Sequence, residues 1–230
     1  MKQLVILGGG ESGVGTALLG KEKGFKVFVS DFGSINKKYT KVLLSNDIEW
    51  EEGQHSITKI LNADIVMKSP GIPETVSIVK KLISKGVSIL SEIEFAAQYT
   101  SSKIIGVTGS NGKTTTTMMI NHILKNAKLD VIMAGNIGDS FAKKIKLSPD
   151  IFVLELSSFQ LDGIKKFCPH IAVITNITPD HLDRYDNKFE NYIASKFRIL
   201  MNQTKDDFLI YDADDPVIEC YLDSHDIKSV

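Results

Sequence analysis

The residues with the most chemistry in them follow a short apolar run. Ile104 to Val107 reads as a buried strand. It stops at Gly109-Ser110-Asn111-Gly112, and Lys113, Thr114 and Thr115 then open a segment with helical apolar spacing at Met119, Ile120, Ile123 and Leu124. A glycine loop between a strand and a helix N-terminus is a phosphate cradle. Its backbone N–H groups and the helix end face the anion, Lys113 can reach the outer phosphates, and the Thr114 hydroxyl suits Mg²⁺. The general pattern asks for a glycine five residues before Gly112, where this chain has Val107, so the loop is a variant of the form T-G-x-x-G-K-T. A plain strand-to-helix turn would account for the glycines, but not for lysine and threonine at the helix mouth.

Three other side chains stand out beyond this loop. Glu155 closes the apolar strand Ile151 to Leu154. A carboxylate at the C-terminal end of a strand beside a phosphate loop can hold Mg²⁺ directly or through water, although an ordinary exposed strand-end glutamate has the same local pattern. His181 lies in Thr178-Pro179-Asp180-His181-Leu182-Asp183-Arg184-Tyr185, just past the apolar strand Ile171 to Thr175. Such a charged cluster after a strand belongs to functional loops, and His181 could bind metal or move a proton near neutral pH. His55, His122, His170 and His225 lack such company and read as surface or satisfied structural residues. Lys196 falls in the middle of the apolar stripe of Phe189, Tyr192, Ile193, Phe197 and Leu200. Either its stem packs while the ammonium escapes to water, or the amine points inward. An inward amine has a lowered pKa, and a neutral amine can react with carbon dioxide to give a carbamate, an anionic metal ligand. Arg198 is off the stripe and is expected to face solvent.

The elements that must position these groups alternate in type. Leu4 to Leu7 reads as a strand, followed by Gly8, Gly10 and Gly13 in G-x-G-x-x-G spacing, a helix to about Lys23, and a strand Lys26 to Ser30 that ends in Asp31. Taken alone this fingerprint indicates a dinucleotide. The physics says less, because the same turn cradles any pyrophosphate, including that of a UDP-sugar. Ile65 to Met67 then runs into Ser69-Pro70-Gly71-Ile72-Pro73, followed by a helix from about Thr75 to Lys85, a strand Val87 to Leu90 and a helix Glu92 to Tyr99. Strand and helix alternating with short Gly or Pro joints predict parallel sheets covered by helices, with ligands at the C-terminal strand ends. The polar stretch Thr100 to Lys103 marks a domain boundary. Beyond it the pattern predicts strands at Val131–Met133 and Asp207–Tyr211, a loop Gly135-Asn136-Ile137-Gly138, and a helix Phe189–Asn202.

Composition narrows the partners. With 43% hydrophobic and 24% charged residues and a net charge of -1, the chain suits a globular protein acting on small molecules and argues against a nucleic-acid or anionic-membrane surface. Cys168 and Cys220 lie far apart without metal-ligand spacing, which fits a reduced setting. No apolar stretch reaches the ~18 residues of a membrane span. The expectation is a soluble protein of the cytoplasm.

Several stretches in order along the chain together resemble the Mur ligase family. They are Gly8 to Gly13, Ser69-Pro-Gly-Ile72, Ser91-Glu-Ile-Glu94, Thr108 to Thr115, Gly135 to Gly138, Glu155-Leu-Ser-Ser-Phe-Gln-Leu161, Asn176 to Tyr185, and Ala194-Ser-Lys-Phe-Arg198. The resemblance implies an α/β fold: an N-terminal Rossmann-like domain, residues 1–99, followed by an incomplete P-loop-type ATPase domain, residues 100–230. It implies an ATP-dependent ligase of peptidoglycan synthesis that adds D-glutamate to UDP-N-acetylmuramoyl-L-alanine through an acyl phosphate. By family likeness ATP takes Gly109, Ser110, Asn111, Gly112, Lys113, Thr114 and Thr115. Thr114 and Glu155 hold one Mg²⁺, His181 and a carbamylated Lys196 hold a second, and Asn136 positions substrate. The UDP moiety takes Ser12, Gly13, Val14, Asp31, Phe32, Ser69 and Gly71. The expected partners are these small molecules, without nucleic acid or membrane, and the chain is expected to act as a monomer. Family members carry a third, C-terminal domain that is missing here, so this chain is expected to bind the UDP substrate and ligate poorly or not at all. The first glycine loop alone would fit an NAD-dependent oxidoreductase, and a non-catalytic nucleotide-binding module is a further alternative. Folylpolyglutamate synthetase shares the second loop, but not the UDP-type first domain.

Overall fold

The computed structural model describes residues 1–225, so the last five residues of the expected second domain lie outside it. Among the described residues the chain forms two compact units, each built on a five-stranded parallel sheet.

The first unit contains β1 (Gln3–Leu7), α1 (Glu11–Glu22), β2 (Lys26–Ser30), α2 (Lys37–Ser45), β3 (Glu49–Glu51), α3 (Ile57–Leu61), β4 (Ile65–Lys68), α4 (Ser77–Ser84), β5 (Ser88–Leu90) and α5 (Glu92–Ala97). The sheet order is β3-β2-β1-β4-β5. Leu4, Val5, Ile6 and Leu7 of the central strand are all fully buried, as expected for a parallel strand covered on both faces. Val5, Leu7, Phe28 and Val66 pack against Ile60, Ile78, Val79 and Leu82 to form one face of the core. Between Asp31 and Ile65 the residue pattern predicts no element, yet α2, β3 and α3 form there. Their signals are weak: β3 is the short polar run Glu-Trp-Glu, and α2 buries only Leu43 while Asn36 caps it by accepting the Lys38 N–H. Ser91 caps α5 in the same way, with its hydroxyl accepting the Glu94 N–H.

The second unit contains β6 (Lys103–Thr108), α6 (Lys113–Asn126), β7 (Val131–Gly135), β8 (Ile151–Glu155), α8 (Ser158–Asp162), β9 (Ile171–Ile174), α9 (Phe189–Phe197), β10 (Phe208–Tyr211) and α10 (Pro216–Ser224), in the sheet order β10-β9-β6-β8-β7. One further helix, α7 (Phe141–Lys144), lies between β7 and β8 in the chain but belongs to the first unit, because residues 139–146 and 163–165 pack there. The linear boundary after residue 99 therefore does not describe the first unit completely. The predicted helix Phe189–Asn202 is helical as far as Phe197 and continues as a tighter turn over Arg198–Leu200.

Strand register sets the functional edges. Leu7 pairs with Ser30 and Lys68 in the first sheet. In the second, Val107 pairs with Glu155, Glu155 with Gly135, and Thr108 with Ile174. The loops that follow these residues leave each sheet at one level. Phe152 of β8 is fully buried. Phe152→Ala should cost about 3–5 kcal/mol in urea denaturation. Met118→Ala, on the 54% exposed flank of α6, should change stability by less than about 0.5 kcal/mol.

Candidate functional site

In the first unit the loop Gly8 to Gly13 is tied to its neighbours by backbone geometry. Gly8 N–H donates to the Ser30 carbonyl, and Ser69 N–H to the Leu7 carbonyl, both at 2.9 Å. The Asp31 carboxylate accepts Gly9 N–H at 2.7 Å and Gly33 N–H at 2.8 Å, so it props the loop up and links it to the strand end that carries Phe32. Phe32 itself is 73% exposed. A Cβ on Gly13 would lie 1.9 Å from the Gly8 carbonyl oxygen, so only glycine lets the loop fold back on the first turn of α1. Gly10, at the helix N-cap, offers no side-chain cap, and the free N–H groups of that turn are what an anion needs. The structure thus gathers Ser12, Gly13, Asp31, Phe32 and Ser69 at one sheet edge. Gly71 follows Ser69 in the β4 loop, where the Ile72 N–H turns back to the Ser69 carbonyl. Val14 is different. Its side chain is buried and its N–H donates to the Gly10 carbonyl at 2.9 Å.

In the second unit, α6 begins at Gly112 with φ +81° and no side-chain cap, which leaves the first-turn N–H groups of Lys113, Thr114 and Thr115 facing outward as an anion site. Gly109, at φ +141°, has no room for a Cβ, which would meet the Thr175 hydroxyl at 2.0 Å. The Lys113 ammonium folds over the loop and donates to the Gly109 carbonyl at 2.9 Å and the Ser110 carbonyl at 2.8 Å. Behind them Glu155 is 2% exposed, and both its oxygens are engaged. One accepts the Thr114 hydroxyl at 2.7 Å and the other the Asn136 amide at 2.8 Å. A buried carboxylate joined to a hydroxyl at the mouth of an uncapped helix is a hard oxygen donor set. It fits Mg²⁺, which takes one or two protein oxygens and fills its octahedron with phosphates and water.

Lys196 settles into the inward of its two readings. The residue is 1% exposed, its ammonium donates to the Gly109 carbonyl at 2.7 Å, and it lies 4.5 Å from the centre of the Tyr192 ring. Burial, and after it the charge of Lys113, lowers its pKa from 10.5 to about 7, while the carboxylates of Asp180 and Asp162 pull it partly back.

Comparisons with known proteins show the family. The Mur ligase middle-domain model matches residues 107–228, and a MurD N-terminal domain model matches residues 3–78. The chain belongs to the Mur ligase family. It is 58% identical over 229 residues to the UDP-N-acetylmuramoylalanine--D-glutamate ligase of Christiangramia forsetii, and 54% identical over 230 residues to that of Bacteroides thetaiotaomicron. Those alignments take in 99% and 100% of this chain and 52% of either relative, so the chain spans about half the length of the curated relatives it matches. Among solved structures it superposes, with a TM-score of 0.68 and 20% identity, on the UDP-N-acetylmuramate:L-alanyl-gamma-D-glutamyl-meso-diaminopimelate ligase from Neisseria meningitides. That match covers 97% of this chain and 75% of the other, and it shows a shared fold.

Two of the expected groups have other neighbours in the structure. The His181 backbone sits at φ +49°, and its half-exposed ring pairs with Asp180 at 3.5 Å and lies 5.2 Å from the Phe159 ring, so its partners are these and not Glu155 or Lys196. Among the described residues no three His, Cys, Asp or Glu side chains cluster as a metal cage. Arg198 does not simply face solvent. It is half-buried, with Nε donating to the Leu161 carbonyl at 2.8 Å. The loop after β9 supplies supports that carried no role in the sequence reading. Ser110 N–H donates to the Asn176 carbonyl at 2.8 Å, Asn111 N–H to the Asn176 side chain at 3.0 Å, and Thr178 N–H to the Ser110 hydroxyl at 2.9 Å. The Tyr192 hydroxyl reaches Ser110 at 3.2 Å. Only the polar run Asn176-Ile-Thr178 just past a strand end signalled them.

The Lys196 shift predicts a pH effect with a definite sign. An unfolded lysine holds its proton to about pH 10.4 and the folded one only to about 7, so between these values the unfolded chain binds more protons and stability rises with pH. Measured against Lys196→Met, the wild-type chain should gain about 3 kcal/mol between pH 7 and 9.5. A flat difference would mean that the amine titrates normally.

Proposed function

We propose that the parent of this chain is an ATP-dependent ligase that joins the amine of D-glutamate to the carboxylate of UDP-N-acetylmuramoyl-L-alanine through an acyl phosphate, in the synthesis of peptidoglycan. The observation that carries this reading is the Thr114–Glu155–Asn136 chain of hydrogen bonds set against the uncapped start of α6. The names of the close relatives support the choice of substrates. The carboxylate and the polyphosphate are both anionic, so the protein must neutralise their approach. Lys113 does this with a cation now resting on two loop carbonyls and free to turn toward a phosphate. Thr114 and Glu155 would hold Mg²⁺, which when bound supplies positive charge to the phosphates. Asn136 fixes the Glu155 carboxylate by its side chain and donates its own N–H to the Glu155 carbonyl at 2.9 Å. Lys196, buried and with its pKa lowered to about 7, keeps a substantial share of neutral amine near neutral pH and is the amine suited to carbamylation. The first unit holds the uridine diphosphate along Ser12, Gly13, Asp31, Phe32 and the Ser69–Gly71 loop. Such a protein works on cytoplasmic small molecules as a monomer. Among the described residues no helix is long and apolar enough to cross a membrane.

Two measurements test this. In the parent, ADP release should require both UDP-N-acetylmuramoyl-L-alanine and D-glutamate, and Glu155→Gln or Lys113→Ala should lower kcat at least about a hundredfold, the scale of losing a charge-stabilising group. ADP release unaffected by omitting D-glutamate would sink the ligase reading. For the 230-residue chain, UDP-N-acetylmuramoyl-L-alanine at about a hundred times its Kd should stabilise the fold by about 2.7 kcal/mol in a thermal melt, with little turnover. Stabilisation by NADH alone would instead favour an oxidoreductase.

A further inference from the structure

A buried carboxylate that the proposed reaction does not use lies beside the first glycine loop. Glu92, the first residue of α5, is 1% exposed. Its Oε1 accepts the Ala142 N–H at 2.9 Å, while Oε2 is buried with no hydrogen-bond partner. Burial raises its pKa from 4.5 to about 7. The Ala142 N–H and the Ser12 and Ser140 hydroxyls beside the carboxyl oppose that rise, and the charge of Glu11 adds to it.

The surrounding groups leave Glu92 as the one that can change charge. From α1 it faces Glu11 and Ser12, and from the α7 segment Ser140, while Lys143 of α7 is paired with Glu11. Burial would raise the Glu11 pKa, but Lys143, the Ser140 N–H and Tyr39 of α2 outweigh it and hold Glu11 ionised. The other carboxylate of α5, Glu94, accepts the Lys165 N–H at 2.8 Å.

We propose that Glu92 governs anion binding on the first glycine loop by taking up a proton when a diphosphate occupies it. This rests on the reading that the loop holds the diphosphate of a UDP-sugar. Ser12 belongs to the first turn of α1, whose free N–H groups attract the anion. An ionised Glu92 at the Ser12 hydroxyl opposes that attraction from inside the protein, where charges are poorly screened. A proton from solvent on Oε2 removes the repulsion and satisfies an oxygen that is otherwise without a partner. It also lets the carboxyl donate to the Ser12 oxygen. By linkage, diphosphate binding raises the Glu92 pKa further, and affinity falls as pH rises through about 7 and above.

The test is calorimetric titration of the 230-residue chain with UDP-N-acetylmuramoyl-L-alanine, whose diphosphate is a diester that stays fully ionised across the range used. In buffers of differing ionisation enthalpy, binding near pH 7.5 should take up a fraction of a proton, and Kd should weaken by up to roughly tenfold from pH 6.5 to 8.5, which is one pKa unit of coupling. Glu92→Gln keeps the acceptor for Ala142 and removes the charge. It should flatten this dependence and bind more tightly than wild type at pH 8.5. The same pH slope in both proteins, or binding without proton uptake, overturns the proposal and leaves the diphosphate reading standing. No binding at any pH overturns that reading and this one together. If Glu92→Gln does not fold, carbon-13 NMR of the wild-type glutamate carboxyls decides. One should titrate near 7 and move higher with ligand, and titration of them all below 5 refutes the proposal.

Discussion

A single buried hydrogen bond, from the Lys196 ammonium to the Gly109 carbonyl, ties the second unit together at its working edge. It joins α9 to a loop 87 residues earlier in the chain, and it places a second cation on a carbonyl that Lys113 already occupies. Two ammonium groups on one oxygen repel each other, which is one reason that Lys196 holds its proton weakly. The loop is therefore organised by positive charge before any ligand arrives, and an anion entering it relieves a repulsion as well as making contacts.

Glu155 balances this arrangement. It is buried like Lys196, but its oxygens are met by neutral donors, the Thr114 hydroxyl and the Asn136 amide, and not by a cation. The carboxylate is thus held by short neutral links, while the Gly109 carbonyl takes the two ammonium groups. Neutralising the carboxylate with a nearby lysine would have removed its capacity to attract a divalent ion.

The parts legible in the sequence were those encoded by local pattern. The strands Leu4–Leu7 and Ile151–Leu154 are continuous apolar runs, and the Gly109–Thr115 loop is a fixed spacing of residue types, so neither needed tertiary information. Lys196 was legible as a conflict, a charge on an apolar stripe, but its direction depended on what lay opposite, and the Gly109 carbonyl is far away in sequence. Asn176, Thr178 and Tyr192 act through backbone groups of a distant loop, a role that leaves no spacing to read. A glycine-loop pattern marks a stretch of chain without saying which N–H groups the helix already uses, as at Val14, whose N–H donates to the Gly10 carbonyl. The elements β3 and α3 were missed because they are short and their stability comes from packing.

The makeup of the first unit has a consequence for how the chain is made. Ser91 N–H waits for the Gly163 carbonyl at 3.1 Å, Glu92 for the Ala142 N–H, and Glu94 for the Lys165 N–H, so the helix at residues 92–97 cannot satisfy its polar groups until residue 165 exists. At ribosomal speeds of about 5–20 residues per second, that interval is roughly 3 to 14 seconds. For that time the N-terminal unit stands with its last helix unsealed while the first strands of the second unit emerge. The chain thus matures by interleaving its two units, and a gene fragment cut at the apparent boundary after Thr100 would encode a sheet whose last helix never receives its partners.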